Sequence, residues 1–127
     1  MDLFNTPSIN LLTKNLDGLW KRQEVISDNI ANFETPGYKR KYVSFEENLI
    51  QAVQNSNKKS IMNQKIDNTE IQVNQADDET MRLDGNNVDI EKENLEMART
   101  SMNYMYSQRI LNDYFSRLKN AISEGRK

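Results

Sequence analysis

The 127-residue chain contains no cysteine and no histidine. Without cysteine it forms no disulfide and no thiolate metal site. Without either residue, the commonest general base and the usual base-activated nucleophiles are missing. The sequence therefore speaks against an enzyme and calls for no cofactor. Long apolar runs are lacking too: no stretch suits a bilayer span, and no direct membrane insertion is expected. The start, Met1-Asp2-Leu3-Phe4-Asn5, has neither the basic region nor the apolar core of a cleaved signal peptide, and composition alone reads as cytoplasmic. An excess of one charge is also missing. With 17 Lys+Arg against 19 Asp+Glu the net charge is -2, too weak a field to recruit nucleic acid or an anionic membrane. Apolar residues make up 36% and mean hydropathy is -0.86. That is little for a small chain that must bury a core by itself. The composition implies a single small unit that completes its core with neighbours.

What is present is concentrated in Ser27-Asp28-Asn29-Ile30-Ala31-Asn32-Phe33-Glu34-Thr35-Pro36-Gly37-Tyr38. Asn29 and Asn32 fall three apart on one helix face, so both amides are placed to bond backbone at the same helix exit. Asn32 is expected to close the helix in the left-handed conformation. Pro36-Gly37 suits the two central positions of a type II turn, with Gly37 at positive φ. The segment reads as a stiff elbow and not as a site of bond chemistry.

Asn29-Ile30-Ala31-Asn32 followed by Thr35-Pro36-Gly37-Tyr38 resembles the N-terminal signature of the bacterial flagellar axial proteins, the rod, hook and hook-associated subunits. The chain departs from the common pattern at Asp28 and Phe33. Lys41-Tyr42-Val43-Ser44-Phe45 and Gly85-Asn86-Asn87-Val88-Asp89 before a long helix are similar to the proximal rod type, and the short length leaves no room for the large inserted domains of hook and distal-rod subunits. The resemblance covers most of residues 1–50 and 85–127. It implies a structural subunit of the basal-body rod that stacks helically with itself and other rod subunits to carry torque. It also implies contacts with the base of the structure (MS ring, rod-base adaptor and export gate). Export would run uncleaved through the flagellar type III apparatus to a periplasmic rod. A soluble helical adaptor or flagellar export chaperone is the alternative.

The residues carry a helical architecture independently. Thr6 before Pro7 marks the start of a first helix, expected over 7–32. Its stripe runs Ile9, Leu12, Leu16, Leu19, Ile26, Ile30 and Phe33, with Gln23 as a polar interruption, which is coiled-coil spacing. Leu11, Trp20 and Val25 widen it. The second helix is expected over 89–124. Asp89, Glu91 and Glu93 suit its positive end, and Lys119, Arg126 and Lys127 its negative end. Its stripe runs Leu95, Ala98, Met102, Met105, then Leu111, Phe115, Leu118, Ile122. The six-residue step after Met105 moves the stripe around the helix, which implies more than one partner. The methionines at 97, 102 and 105 suit adaptable packing better than a copper site.

Between the helices, Lys39-Arg40-Lys41 reads as a solvated basic strip for a neighbour's carboxylates. Ser44 and Glu47 suggest a capping box before a short helix through Leu49, Ile50 and Val53. From Gln54 to Asp84 no helical stripe is visible; Ile71-Gln72-Val73 alternates weakly, and an extended or short β-hairpin segment is expected. Replacing residues within 55–68 by Gly and Ser should therefore be nearly silent. Asp84–Asp89 faintly suggests a calcium loop, but putting Gly85 at the sixth position puts Thr80 where the first Asp belongs, so no metal site is read there. The expected fold is mainly α: two long terminal helices packed as an antiparallel coiled coil, one structural unit. Its parts are an axial helix and elbow (1–38), a polar middle segment, extended or partly β (39–84), and a second axial helix (85–127).

Overall fold

The computed structural model describes residues 5–56, 58–77 and 82–125. Of the residues singled out above, Met1 to Phe4, Thr80, Arg126 and Lys127 lie outside that range. The elements run α1 (Pro7–Ala31), β1 (Lys41–Ser44), α2 (Glu46–Gln54), α3 (Lys59–Asp67), β2 (Gln72–Gln75) and α4 (Ile90–Glu124). The long helices have 25 and 35 residues, or about 37 and 52 Å at 1.5 Å per residue.

Both long helices start where their caps place them. The Thr6 hydroxyl accepts from the Ile9 amide, and Pro7 takes a position whose missing N–H costs nothing. Asp89 Oδ1 accepts from the Glu91 and Lys92 amides, with Glu91 and Glu93 in the first turn. No basic residue occupies the last turn of α4, so Lys119 lies inside the helix and short of its end.

α1 and α4 run antiparallel. Side-chain hydrogen bonds join Thr6 to Tyr114, Asn15 to Ser107, Gln23 to Ser101 and Asn29 to Glu93, so one chain direction ascends as the other descends. The apolar core lies against α1 and the small module that follows it: Leu19, Val25, Val43, Phe45, Leu49, Ala52 and Ile66. α1 is therefore held from one side by α4, through these hydrogen bonds and Tyr104 against the core, and from the other by the apolar side chains of the module together with bonds from Arg22 to Val43 and Glu46.

Two features of the module differ from expectation. The residues from 54 to 84 do not run extended throughout: α3 occupies Lys59–Asp67, and its Ile66 is completely buried. One buried isoleucine with Met62 beside it anchors a nine-residue helix, too few apolar positions to register as a stripe. β2 then pairs antiparallel with β1, Val43 opposite Val73, in the place the weak alternation marked. Ser44 does not cap α2 either. Phe45 stands at that cap without a side-chain bond, and the Ser44 hydroxyl accepts instead from Asn74 across the strands.

Phe45 explains the one glycine inside α1. A Cβ at Gly18 would come within 2.5 Å of the Phe45 ring, and the Arg22 guanidinium covers that ring at 5.1 Å. Glycine in a helix interior costs about 1 kcal/mol against alanine; here it makes the slot for the most buried aromatic of the core.

Candidate functional site

The elbow is built outward from Asn29, which is completely buried. Its Oδ1 accepts from the Lys41 amide at 3.0 Å and from the Tyr38 hydroxyl at 3.2 Å. Its Nδ2 donates to the Lys41 carbonyl at 2.7 Å and to Glu93 Oε2 at 2.9 Å. All four bonding positions of the amide are used. The pair with Lys41 mimics a rung of β-ladder, so a side chain of α1 holds the first residue of β1. Glu93, also completely buried, bonds Arg40 Nε through its other oxygen. Arg40 is thus not a solvated charge awaiting a neighbour, as the basic strip suggested; it neutralises a carboxylate that would be costly to bury alone. Tyr38 is held above the usual phenol range, first by burial and then by the negative charges of Asp28 and Glu93.

Asn32 closes α1 in a different conformation from the one expected. Its φ is -100°, and among the described residues only Gly37 and Gly85 have positive φ. The cause is local bonding. Asn32 Nδ2 donates to the Asp28 carbonyl at 2.8 Å, while the Asn32 carbonyl accepts from the Thr35 amide at 3.0 Å. The exit carbonyls are satisfied without a left-handed residue. The turn itself follows expectation: Tyr38 N donates to the Thr35 carbonyl and Gly37 sits at φ 73°, the type II requirement.

A second loop clasps this turn from the far end of the sequence. The buried Asn86 places its Nδ2 within 3.1 Å of the Asn32, Phe33 and Thr35 carbonyls, and its Oδ1 accepts from Val88 N. Asn87 accepts from Arg40 N and donates to the Ala76 carbonyl. Gly37 N donates to the Asp84 carbonyl at 2.8 Å. Arg82 bonds the Phe33 carbonyl and lies 4.8 Å above the Phe33 ring, which gives that unusual aromatic a role. Carbonyls that would be stranded at the helix exit are thus met by Asn86, 51 to 54 residues away, while Asn87 ties the approach to β1 to the segment after β2. The arrangement fixes direction: α1, β1 and the start of α4 leave one hydrogen-bonded knot at set angles. Among the described residues no group of acidic side chains is placed to hold a metal ion.

Residues 19–39, which include the Asn29 to Tyr38 part of this knot, match the family model described as "Flagella basal body rod protein". Over 114 residues the chain is 34% identical to the flagellar basal body rod protein FlgB of Bacillus subtilis strain 168, spanning 83% of this chain and 84% of the relative. It is 33% identical to FlgB of Borreliella burgdorferi over 121 residues, 85% and 90% of the two chains. To FlgB of Escherichia coli K12 it is 26% identical over 117 residues, 83% and 85%. The chain belongs to the FlgB family of flagellar basal body rod proteins. As a FlgB-family protein it is a structural subunit of the flagellar basal body and not an enzyme.

The other elbow residues of this FlgB-family chain divide by exposure. Ile30 and Tyr38 are half-buried, whereas Ala31, Thr35, Pro36 and Gly37 face solvent. The stripe of α1 turns inward: Leu19 and Ile26 are buried, and Leu12, Leu16 and Ile30 half-buried. That of α4 does not all face α1. Leu95, Met102, Phe115 and Ile122 are 53%, 60%, 38% and 51% exposed, while Leu111 and Leu118 are half-buried. The inward face of α4 runs instead through Glu93, Met97, Thr100, Tyr104, Ser107, Leu111, Tyr114 and Leu118, every one buried or half-buried. A hydropathy stripe passes over this face because its tightest positions are Glu, Thr and Ser. The six-residue step after Met105 marks the change of side: Leu95, Met102 and Met105 point away from α1, and Leu111 and Leu118 toward it. Asn86, Asn87, Arg40 and Glu93 were not legible as site residues. Glu93 looked like a first-turn acid and the asparagines like turn residues, and only their partners on α1 reveal them.

Proposed function

We propose that this chain is a proximal rod subunit that assembles helically with itself and other axial proteins and transmits torque through its paired long helices. Its elbow, Asn29 to Asn32 and Thr35 to Tyr38, is the assembly motif that sets how the module projects from the helix pair. The alternating four- and three-residue steps from Glu93 to Leu118 support an antiparallel coiled coil between α4 and α1. Contacts with the MS ring, the rod-base adaptor and the export gate, and uncleaved export through the flagellar type III apparatus, belong to this reading. So does the division into axial helix with elbow, middle segment and second axial helix.

The observation that carries the reading is the unequal treatment of the two faces of α4. One face is bonded to α1 from Glu93 to Tyr114, and the other leaves Leu95, Met102 and Met105 more than half exposed. Contiguous exposed apolar side chains mark an interaction surface, and a helix apolar on two sides is buried by two partners. The test is purification of basal bodies from the native host with a tagged copy. The chain should co-purify with intact rods and remain after the hook and filament are removed. Recovery only in soluble complexes with unfolded flagellar subunits would favour an export chaperone.

A further inference from the structure

Resting on the reading as a rod subunit, we propose that a groove between α1 and α2 seats the outward face of α4 from a second copy of this chain. The groove has a volume of about 490 Å³ and is walled by Leu11, Leu12, Leu49, Ile50 and Val53, with Glu46 at its end. Ile50 is 53% exposed. The outward face of α4 is its counterpart. Leu95, Ala98, Met102 and Met105 recur at steps of three and four, and the next position in that series is Arg109. One surface is an apolar trough ending in acid; the other is an apolar ridge ending in a cation.

The charges agree with this seating. α2 carries Glu46 and Glu47 in its first turn and no basic residue. Glu46, on the groove, already pairs with Arg22; its exposed neighbour Glu47, beside the groove and not in its wall, and Arg109 form no ion pair among the described residues. Methionine suits a ridge that enters a trough of mixed leucine, isoleucine and valine, because the thioether adapts to irregular gaps.

The two surfaces do not meet within one chain, because α1 walls the groove and the ridge points away from α1. The groove stands at the level of Asn15, which bonds Ser107. Met102 lies one residue beyond Ser101, which is bonded by Gln23. Along α4 the ridge comes close to the level of the groove, Met105 lying two residues and Met102 five residues from Ser107, about 3 and 8 Å, so it is direction and not height that keeps trough and ridge apart. Pairing unlike patches head to tail is a heterologous contact, which adds copies in an open helical series when the rotation between them closes no ring; that is the arrangement proposed here.

Because the chain has no cysteine, introduced thiols report unambiguously. Ile50→Cys and Met102→Cys would be placed in one chain, and basal bodies isolated from cells with that chain as the sole copy would be treated with a short bismaleimide. A ladder of dimers, trimers and higher species is expected. A mixture of the two single-cysteine chains should stop at dimers, and each alone should give none. Self-crosslinking of Met102→Cys alone would overturn the proposal, because ridge would then meet ridge. Crosslinking of Ile50→Cys to another protein would overturn it as well, by assigning the groove to that component. Intact rods containing the double variant without crosslinks would sink the seating and leave the rod reading standing; absence of the unmodified chain from basal bodies would sink the rod reading itself. Should the cysteine pair block assembly, charge reversal decides. Glu47→Arg and Arg109→Glu should each abolish rods and together restore them, and no restoration, with both variants folded, would count against the pairing.

Discussion

Asn29 and Asn32 carry the same side chain three residues apart, yet their surroundings give them unequal weight. Asn29 is completely buried and bonds Lys41, Tyr38 and Glu93. Removing its amide strands the Lys41 N–H and C=O and one oxygen of Glu93, and a buried unmatched polar group costs about 1–3 kcal/mol. Asn32 works at a wetter edge, where water replaces part of what is lost. Asn29→Ala should therefore destabilise the chain by about 3 kcal/mol or more and Asn32→Ala by about 1 kcal/mol, read as midpoint shifts in urea. Equal losses would contradict the clasp as described. Tyr38 adds a pH test. Its folded pKa is raised by burial and by Asp28 and Glu93, so the folded state keeps the proton that the unfolded chain releases. That contribution is whole below the unfolded phenol pKa of about 10 and is lost as pH rises through the raised value. The stability advantage of the native chain over Tyr38→Phe should shrink above about pH 10. An advantage that stays constant to the alkaline limit would show that the phenol is not held by these neighbours.

At the scale of elements, legibility follows how each one is stabilised. α1 and α4 were readable because their ends are written locally: Thr6-Pro7 and Asp89 with its acidic first turn are complete signals within four residues. The turn was readable for the same reason, since Pro36-Gly37 needs no distant partner. α3 was not, because it exists by tertiary packing of Ile66 and Met62 and not by a periodic face. A Gly/Ser replacement across 55–68, silent for an extended surface segment, should instead lower stability. Ile66→Ala alone should cost about 2–5 kcal/mol, and a cost near zero would detach α3 from the core. Gly18 belongs to the same class: an interior glycine signals close approach, but which ring approaches is decided 27 residues later. Gly18→Ala should cost about 1–3 kcal/mol by forcing the Phe45 ring aside. Phe45→Leu should remove most of that penalty in the double variant, and strict additivity of the two losses would place the conflict elsewhere.

Across the whole molecule, order should follow the distribution of partners. The middle of α1 is held on one side by Leu19, Val25 and the module core, and on the other by bonds to α4. The start of α4 is tied into the elbow through Glu93. Farther along, Thr6 meets Tyr114, and from Phe115 to Glu124 the helix runs past the described start of α1, about 15 Å of it. Ile122 on that stretch is half exposed. Isolated helical turns without packing are marginal in water, and segments with little burial open at free energies far below the global value. Amide hydrogen exchange on a verified monomer should therefore show a gradient, with strong protection near 19–29 and 93–104 that decays from 115 to 124. In assembled rods the protected region should extend to the end of α4 as neighbours cover what the monomer leaves bare. Uniform protection from Leu95 to Glu124 in the monomer would mean that the helix needs no neighbour for its order, and the exposed stripe would then have to be explained without assembly.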